Sequence, residues 1–119
     1  MTVSFRLLRE ALAVLALPAE RQREALAGTA VTDELVLDLD NAVCSLKYEM
    51  DRTGIRLPPA LVEALQQFKD ALSAPPEDPL WDDISLDQHP TWASARVTAL
   101  ELRDQVRALL PQDDFKDTP

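Results

Sequence analysis

Residues 32–53, TDELVLDLDNAVCSLKYEMDRT, decide the reading of this chain. At about 100° per residue, Leu35, Leu39, Ala42, Val43, Leu46 and Met50 fall within one sector of about a third of a helix circumference, the width of a core-facing stripe. Thr32 is expected to cap the start of this helix, because its hydroxyl can accept a hydrogen bond from a free first-turn amide. Asp33 and Glu34 follow at the positive end of the helix dipole, and Gly54 supplies the residue that most easily adopts a left-handed C-cap. The stretch therefore predicts one long amphipathic helix at the centre of an all-helical domain.

The opposite side of that helix is less ordinary. Leu37, Cys44 and Tyr48 form a thinner apolar line at i, i+7 and i+11, bordered by Asp33, Asp40 and Asp51 on one side and Glu34, Asp38 and Asn41 on the other. Two readings are open. The line packs under a neighbouring helix, as in many bundles, or it forms a partner-binding face in which an aromatic with a polar tip sits among acids.

Working outward, the helical expectation extends over the chain. Residues 4–16 predict a first helix with Ser4 as its cap and Phe5, Leu8, Leu12 and Leu15 on its densest face; Leu7 and Ala11 share the periodicity. Pro18 ends it and reads as the first residue of a short second helix, AERQREALAG, that stops at Gly28 with Leu26 as its anchor. A helix over 58–73 carries Leu61, Leu65, Phe68 and Leu72. Between residues 73 and 90 the prolines Pro75, Pro76, Pro79 and Pro90 forbid a continuous helix. Residues 82–89 are expected to form one or two helical turns there, pinned by Leu80 and Trp81. A last helix, 90–110, is expected to bury Trp92, Ala95, Ala99, Leu102, Val106 and Leu109 and to aim Arg96, Arg103 and Arg107 at the acids of the central helix. The resulting fold class is all-α: a compact bundle of about five helices with a Pro-rich acidic loop. It forms a single domain over residues 1–111, followed by a frayed tail, 112–119.

Charge narrows the partners. The net charge is −9, and the basic residues are scattered, so nucleic acid is not an expected partner: phosphate must be met by clustered Lys and Arg. The acids concentrate in residues 32–53 and 77–87, a distribution that attracts a basic protein and speeds its association, or that simply keeps the surface hydrated. The single cysteine, Cys44, cannot form an intramolecular disulfide; it is expected to act as a small buried or semi-buried hydrophobe, in keeping with a reducing, cytoplasmic location. The apolar run 11–17 after Arg6 and Arg9 is too short and too periodic for a signal peptide, and no membrane span is expected.

No catalytic constellation stands out. His89 is the only histidine, so neither a zinc pair nor a triad base is available, and its position before Pro90 points to a helix boundary. The Glu-x-x-His pairs of a di-metal bundle are absent. DELVLDLDN alternates acids as a calcium loop does, but lacks the central Gly and interposes Leu and Val. There is no Gly-rich phosphate loop. The expectation is a protein that is not an enzyme and needs no metal or other cofactor.

Two blocks, DELVLDLDNAV (33–43) and DPLWDDISLDQHPTWASARVTAL (78–100), resemble segments of small helical bacterial immunity proteins encoded beside polymorphic or contact-dependent toxins. The shared features are Asp-Glu-Leu-x-Leu-Asp-hydrophobic-Asp, and Leu-Trp followed by acids, an apolar turn, His-Pro and Trp; LPAERQREAL (17–26) fits loosely, and 44–56 departs from the pattern. The resemblance covers about half the chain and its motifs are structural. It implies stoichiometric inhibition of a cognate toxin, for which the candidate contact surface is Asp33, Leu37, Asp40, Asn41 and Tyr48 on the central helix and Asp82, Asp83 and Asp87 on the loop. Each is equally readable as a solvated residue. The alternative function is a helical adaptor or homodimeric scaffold, with Leu37, Cys44 and Tyr48 as the seam.

Overall fold

The computed structural model describes residues 5–110. Among them the secondary structure is entirely helical: α1 (Arg6–Leu15), α2 (Ala19–Ala25), α3 (Val31–Cys44), α4 (Leu46–Thr53), α5 (Pro59–Ala71), a 3-10 turn (Pro79–Trp81), α6 (Ser85–Gln88) and α7 (Pro90–Leu109). The expected cap Ser4 and the expected tail 112–119 lie outside the described residues.

Helix α1 buries Leu8, Ala11, Leu12 and Leu15 because its apolar residues recur every three to four positions, with Phe5 buried at its N-cap, and it packs against both α3 and α7. α5 closes the other side, packing against α3 and α7 and burying Leu61, Leu65 and Phe68. Small residues let α7 approach closely: Ala95 and Ala99 alternate with Trp92, Leu102 and Val106 along its buried side. Leu110 is buried in place of the expected Leu109, which is exposed where the backbone leaves the helix in an extended conformation.

The long central helix is divided. Ser45 has φ −88 and ψ −3, and its Oγ donates to the Asn41 carbonyl at 2.8 Å. Such back-bonding competes with the main-chain ladder and bends a helix. The stripe still holds across the bend, with Leu46 buried and Met50 half-buried. Thr32 is not the N-cap: the helix begins one residue earlier, and the Thr32 hydroxyl, buried, donates to the Trp81 carbonyl at 2.9 Å. Gly54 does end α4 with φ 75.

The proline-rich segment is pinned by polar contacts as well as by apolar burial. Leu80 is buried, its carbonyl accepts both Ser85 Oγ at 2.7 Å and Trp92 Nε1 at 3.0 Å, and Trp81 Nε1 donates to the Pro75 carbonyl at 2.8 Å. His89 marks the start of α7, its Nδ1 accepting the Thr91 amide at 3.1 Å; the helix-boundary role follows from Pro90 at the first turn.

Candidate protein-binding surface

The outward ridge of α3 and α4 is open to solvent. Leu37 is 50% and Tyr48 67% exposed, and Cys44 is exposed as well. The expectation of a buried or semi-buried Cys44 is therefore corrected, and no neighbouring helix among the described residues covers the Leu37, Cys44 and Tyr48 line. The reason is geometric: α1 and α5 flank α3 on its two sides and meet its core stripe, leaving the far ridge uncovered.

A groove lies on each side of that ridge. Toward α5, Asp33, Leu37 and Asp40 line a groove of about 400 Å³ with Lys69, Leu72 and Trp81. Toward α1, Asn41 and Cys44 line a larger one of about 690 Å³ with Leu7, Val14, Leu26 and Asp38. Tyr48 sits beyond it, in an adjoining groove of about 360 Å³ that shares Leu7 and Ser45 and is closed by Phe5, Glu49 and Arg52. The sequence-derived candidates on the central helix are thus distributed over both grooves and the ridge between them.

Their charges differ in availability. Asp33, Glu34 and Asp38 make no hydrogen bond or ion pair with their side chains among the described residues. Asp40 is engaged by Lys69 at 3.2 Å, which raises the lysine above its ordinary value. Glu49 accepts the Phe5 amide at 2.9 Å and pairs with Arg52 at 2.8 Å. The bond to Arg52, more than the Phe5 amide, holds the carboxyl below its ordinary range. Glu49 thereby caps α1 from a distant element, where Phe5 itself, left-handed at φ 56, provides no side-chain cap.

The loop acids belong to a different arrangement. Arg23 of α2 spans Asp83 and Asp87, with Nη2 at 3.4 Å and 2.7 Å from their carboxylates and 2.8 Å from the Asp83 carbonyl. The Arg23 bond lowers the Asp87 carboxyl and raises the guanidinium. Behind it Arg96 donates to the Leu86 carbonyl and to Gln22 Oε1, and burial lowers its own ordinary value. Arg96 thus serves α2 and α6, not the acids of the central helix, and Arg103 pairs with Asp104 on its own helix. Of the three loop candidates, Asp82 alone keeps an exposed side chain without a partner among the described residues.

Sequence reasoning did not single out Leu7, Val14 and Leu26 as a surface, nor Gln22 and Arg23 as a bracket. Leu7 and Val14 are seven residues apart, two turns along one face, which was the available signal.

No family model, curated protein or solved structure matches the chain. The described residues hold no group of three or more His, Cys, Asp or Glu placed to bind a metal ion, and none of their helices is long and apolar enough to cross a membrane.

Proposed function

We propose that this chain is a non-enzymatic acidic binding protein that neutralises a cognate bacterial toxin by direct, stoichiometric binding. The observation that carries the reading is the coincidence, on α3 and α4, of an apolar ridge and carboxylates that are uncovered and unpaired among the described residues. An apolar centre flanked by unpaired charge is the arrangement in which buried anchors slow dissociation while the charge speeds encounter with a basic surface. Asp33, Leu37, Asn41, Tyr48 and Asp82 remain the contact residues of this proposal, together with Asp38. Asp40, Asp83 and Asp87 contribute field more than direct contact, being already held by Lys69 and Arg23.

The test is co-expression with the product of the adjacent gene. The parent chain should restore growth of cells making that product and co-purify with it at one-to-one stoichiometry, whereas Asp38→Arg combined with Tyr48→Ala should lose protection while keeping its helical circular dichroism. An adjacent product that is harmless, or protection without any complex, would remove the inhibitor reading. The homodimeric scaffold uses the same ridge. It requires a stable dimer of the purified chain on a sizing column, against the repulsion of two copies each carrying −9.

A further inference from the structure

We infer that the groove between α1 and α3 receives a basic amphipathic helix of the partner, its aliphatic ridge seated on Leu7, Val14, Leu26 and Cys44 and a cationic side chain placed over Asp38. The inference rests on the binding role proposed above and specifies which side of the ridge is used and what enters it. The α1 side offers the larger cavity, about 690 Å³, and it runs into the 360 Å³ groove below Tyr48 through the shared Leu7 and Ser45. Leu7 is 53% exposed although it lies on the most deeply packed helix of the fold. With 10 residues, α1 forms a wall about 15 Å long, enough to line nearly three turns of a docked helix.

Charge selects the occupant. Asp38 stands at the rim without a partner among the described residues, and Glu34 lies one turn before it on α3. The two cations that line the adjoining groove are already engaged, Arg6 by Glu10 at 2.9 Å and Arg52 by Glu49. A second copy of this chain would bring a further charge of −9 to an acidic rim, whereas a helix with Lys or Arg beside its apolar ridge complements both features. The α5 side suits such a helix less well, since Lys69 already occupies Asp40 there.

Cys44 lies in the groove, is exposed and is the only cysteine of the chain, so the rate at which a chromogenic disulfide reagent labels it reports occupancy directly. The probe is a synthetic Leu/Lys amphipathic helix; a Leu/Glu helix of the same pattern and a Leu/Lys peptide of scrambled order serve as controls. With the Leu/Lys helix at about ten times its Kd, labelling should slow about tenfold, because only the unoccupied fraction reacts. The two controls should leave the rate unchanged. Leu7→Glu, at an exposed position that should not disturb folding, is expected to weaken the protection about tenfold, and Asp38→Lys about fivefold. No protection by the Leu/Lys helix, equal protection by the Leu/Glu helix, or protection that grows with the concentration of the chain alone would overturn the assignment, the last by making a second copy the occupant. The growth assay separates the two claims: protection of cells that survives Leu7→Glu removes the groove and leaves the function, and Cys44 protection without any growth rescue removes the function and leaves the groove.

Discussion

Gln22 carries the most consequential polar contact in the core. Its side chain is fully buried, Nε2 donating to the carbonyls of Val14 at 3.2 Å and Leu15 at 3.1 Å while Oε1 accepts Arg96 Nη2 at 3.2 Å. These carbonyls lie at the end of α1, where a helix leaves its last acceptors without intrahelical donors. Gln22→Leu keeps most of the volume and removes every one of these contacts. The Val14 carbonyl still accepts the Leu17 amide at 3.1 Å, and Arg96 still reaches the Leu86 carbonyl. The Leu15 carbonyl has no such substitute among the described residues, so one buried acceptor is orphaned, at about 1–3 kcal/mol. Two weakened contacts add about 0.5–1 kcal/mol each, and the more apolar side chain offsets part of the sum. The expected loss is about 2–3 kcal/mol, a large share of a stability of about 5–15 kcal/mol. Gln22→Ala should lose about 1 kcal/mol more through the cavity it leaves. Urea denaturation followed by tryptophan fluorescence measures both, provided the m-value is unchanged. A Gln22→Leu variant within about 0.5 kcal/mol of the parent would show that the Leu15 carbonyl is satisfied without Gln22, and the bracket would lose its structural role.

Gly54→Ala should cost about 1–2 kcal/mol, wholly through the backbone at φ 75, since a Cβ there would meet nothing within 4 Å; an unchanged melting temperature would contradict the left-handed cap. The depressed Glu49 carboxyl stabilises the fold at pH values above its ordinary value of 4.5, and that stabilisation is lost as pH falls through the lower folded value. Denaturation at successive pH values should therefore show Glu49→Gln less stable than the parent at neutral pH and the gap closing below about pH 4.5; a gap that stays constant with pH would argue against the carboxylate cap. Trp92→Phe should cost about 1–2 kcal/mol, and combined with Ser85→Ala the loss should exceed the sum of the two, because only the pair leaves the Leu80 carbonyl without a side-chain donor. Simple additivity in urea denaturation would mean that the single Ser85 hydroxyl proton goes to the Asp82 carbonyl, also 2.7 Å away, and not to Leu80.

The helical stripes were legible because they depend only on residue spacing. Phe5, Leu8, Leu12 and Leu15, then Leu35, Leu39, Ala42, Val43 and Leu46, and then Leu61, Leu65 and Phe68 are buried where periodicity puts them. The proline positions also announced where helix would stop. The helix boundaries were misread where two side-chain hydrogen-bonding options compete within a few residues, and the long-range pairing of Arg96 and Arg103 was misread because it depends on which elements meet. Thr32 is as good a local cap as any hydroxyl, yet it faces the Trp81 carbonyl from a segment nearly fifty residues away. Ser45 reads as an ordinary helical residue until its hydroxyl is seen bonding backward.

The candidate surface divides in the same way. The acid-bordered line of Leu37, Cys44 and Tyr48 is a property of one helix, and the sequence by itself determined that these residues share a face and that most of the nearby charge is negative. Whether the face would be covered is a property of how α1 and α5 pack beside α3, and only the tertiary structure decided that it is exposed. It also decided which carboxylates are spent internally, pairing Asp83 and Asp87 with Arg23 and Asp40 with Lys69 across long sequence separations while leaving Asp33, Glu34 and Asp38 unpaired among the described residues. The physical reason is one of range. Helical periodicity acts over three or four residues along the chain, whereas burial, ion pairing and the closing of a groove depend on elements that meet only once the chain has folded.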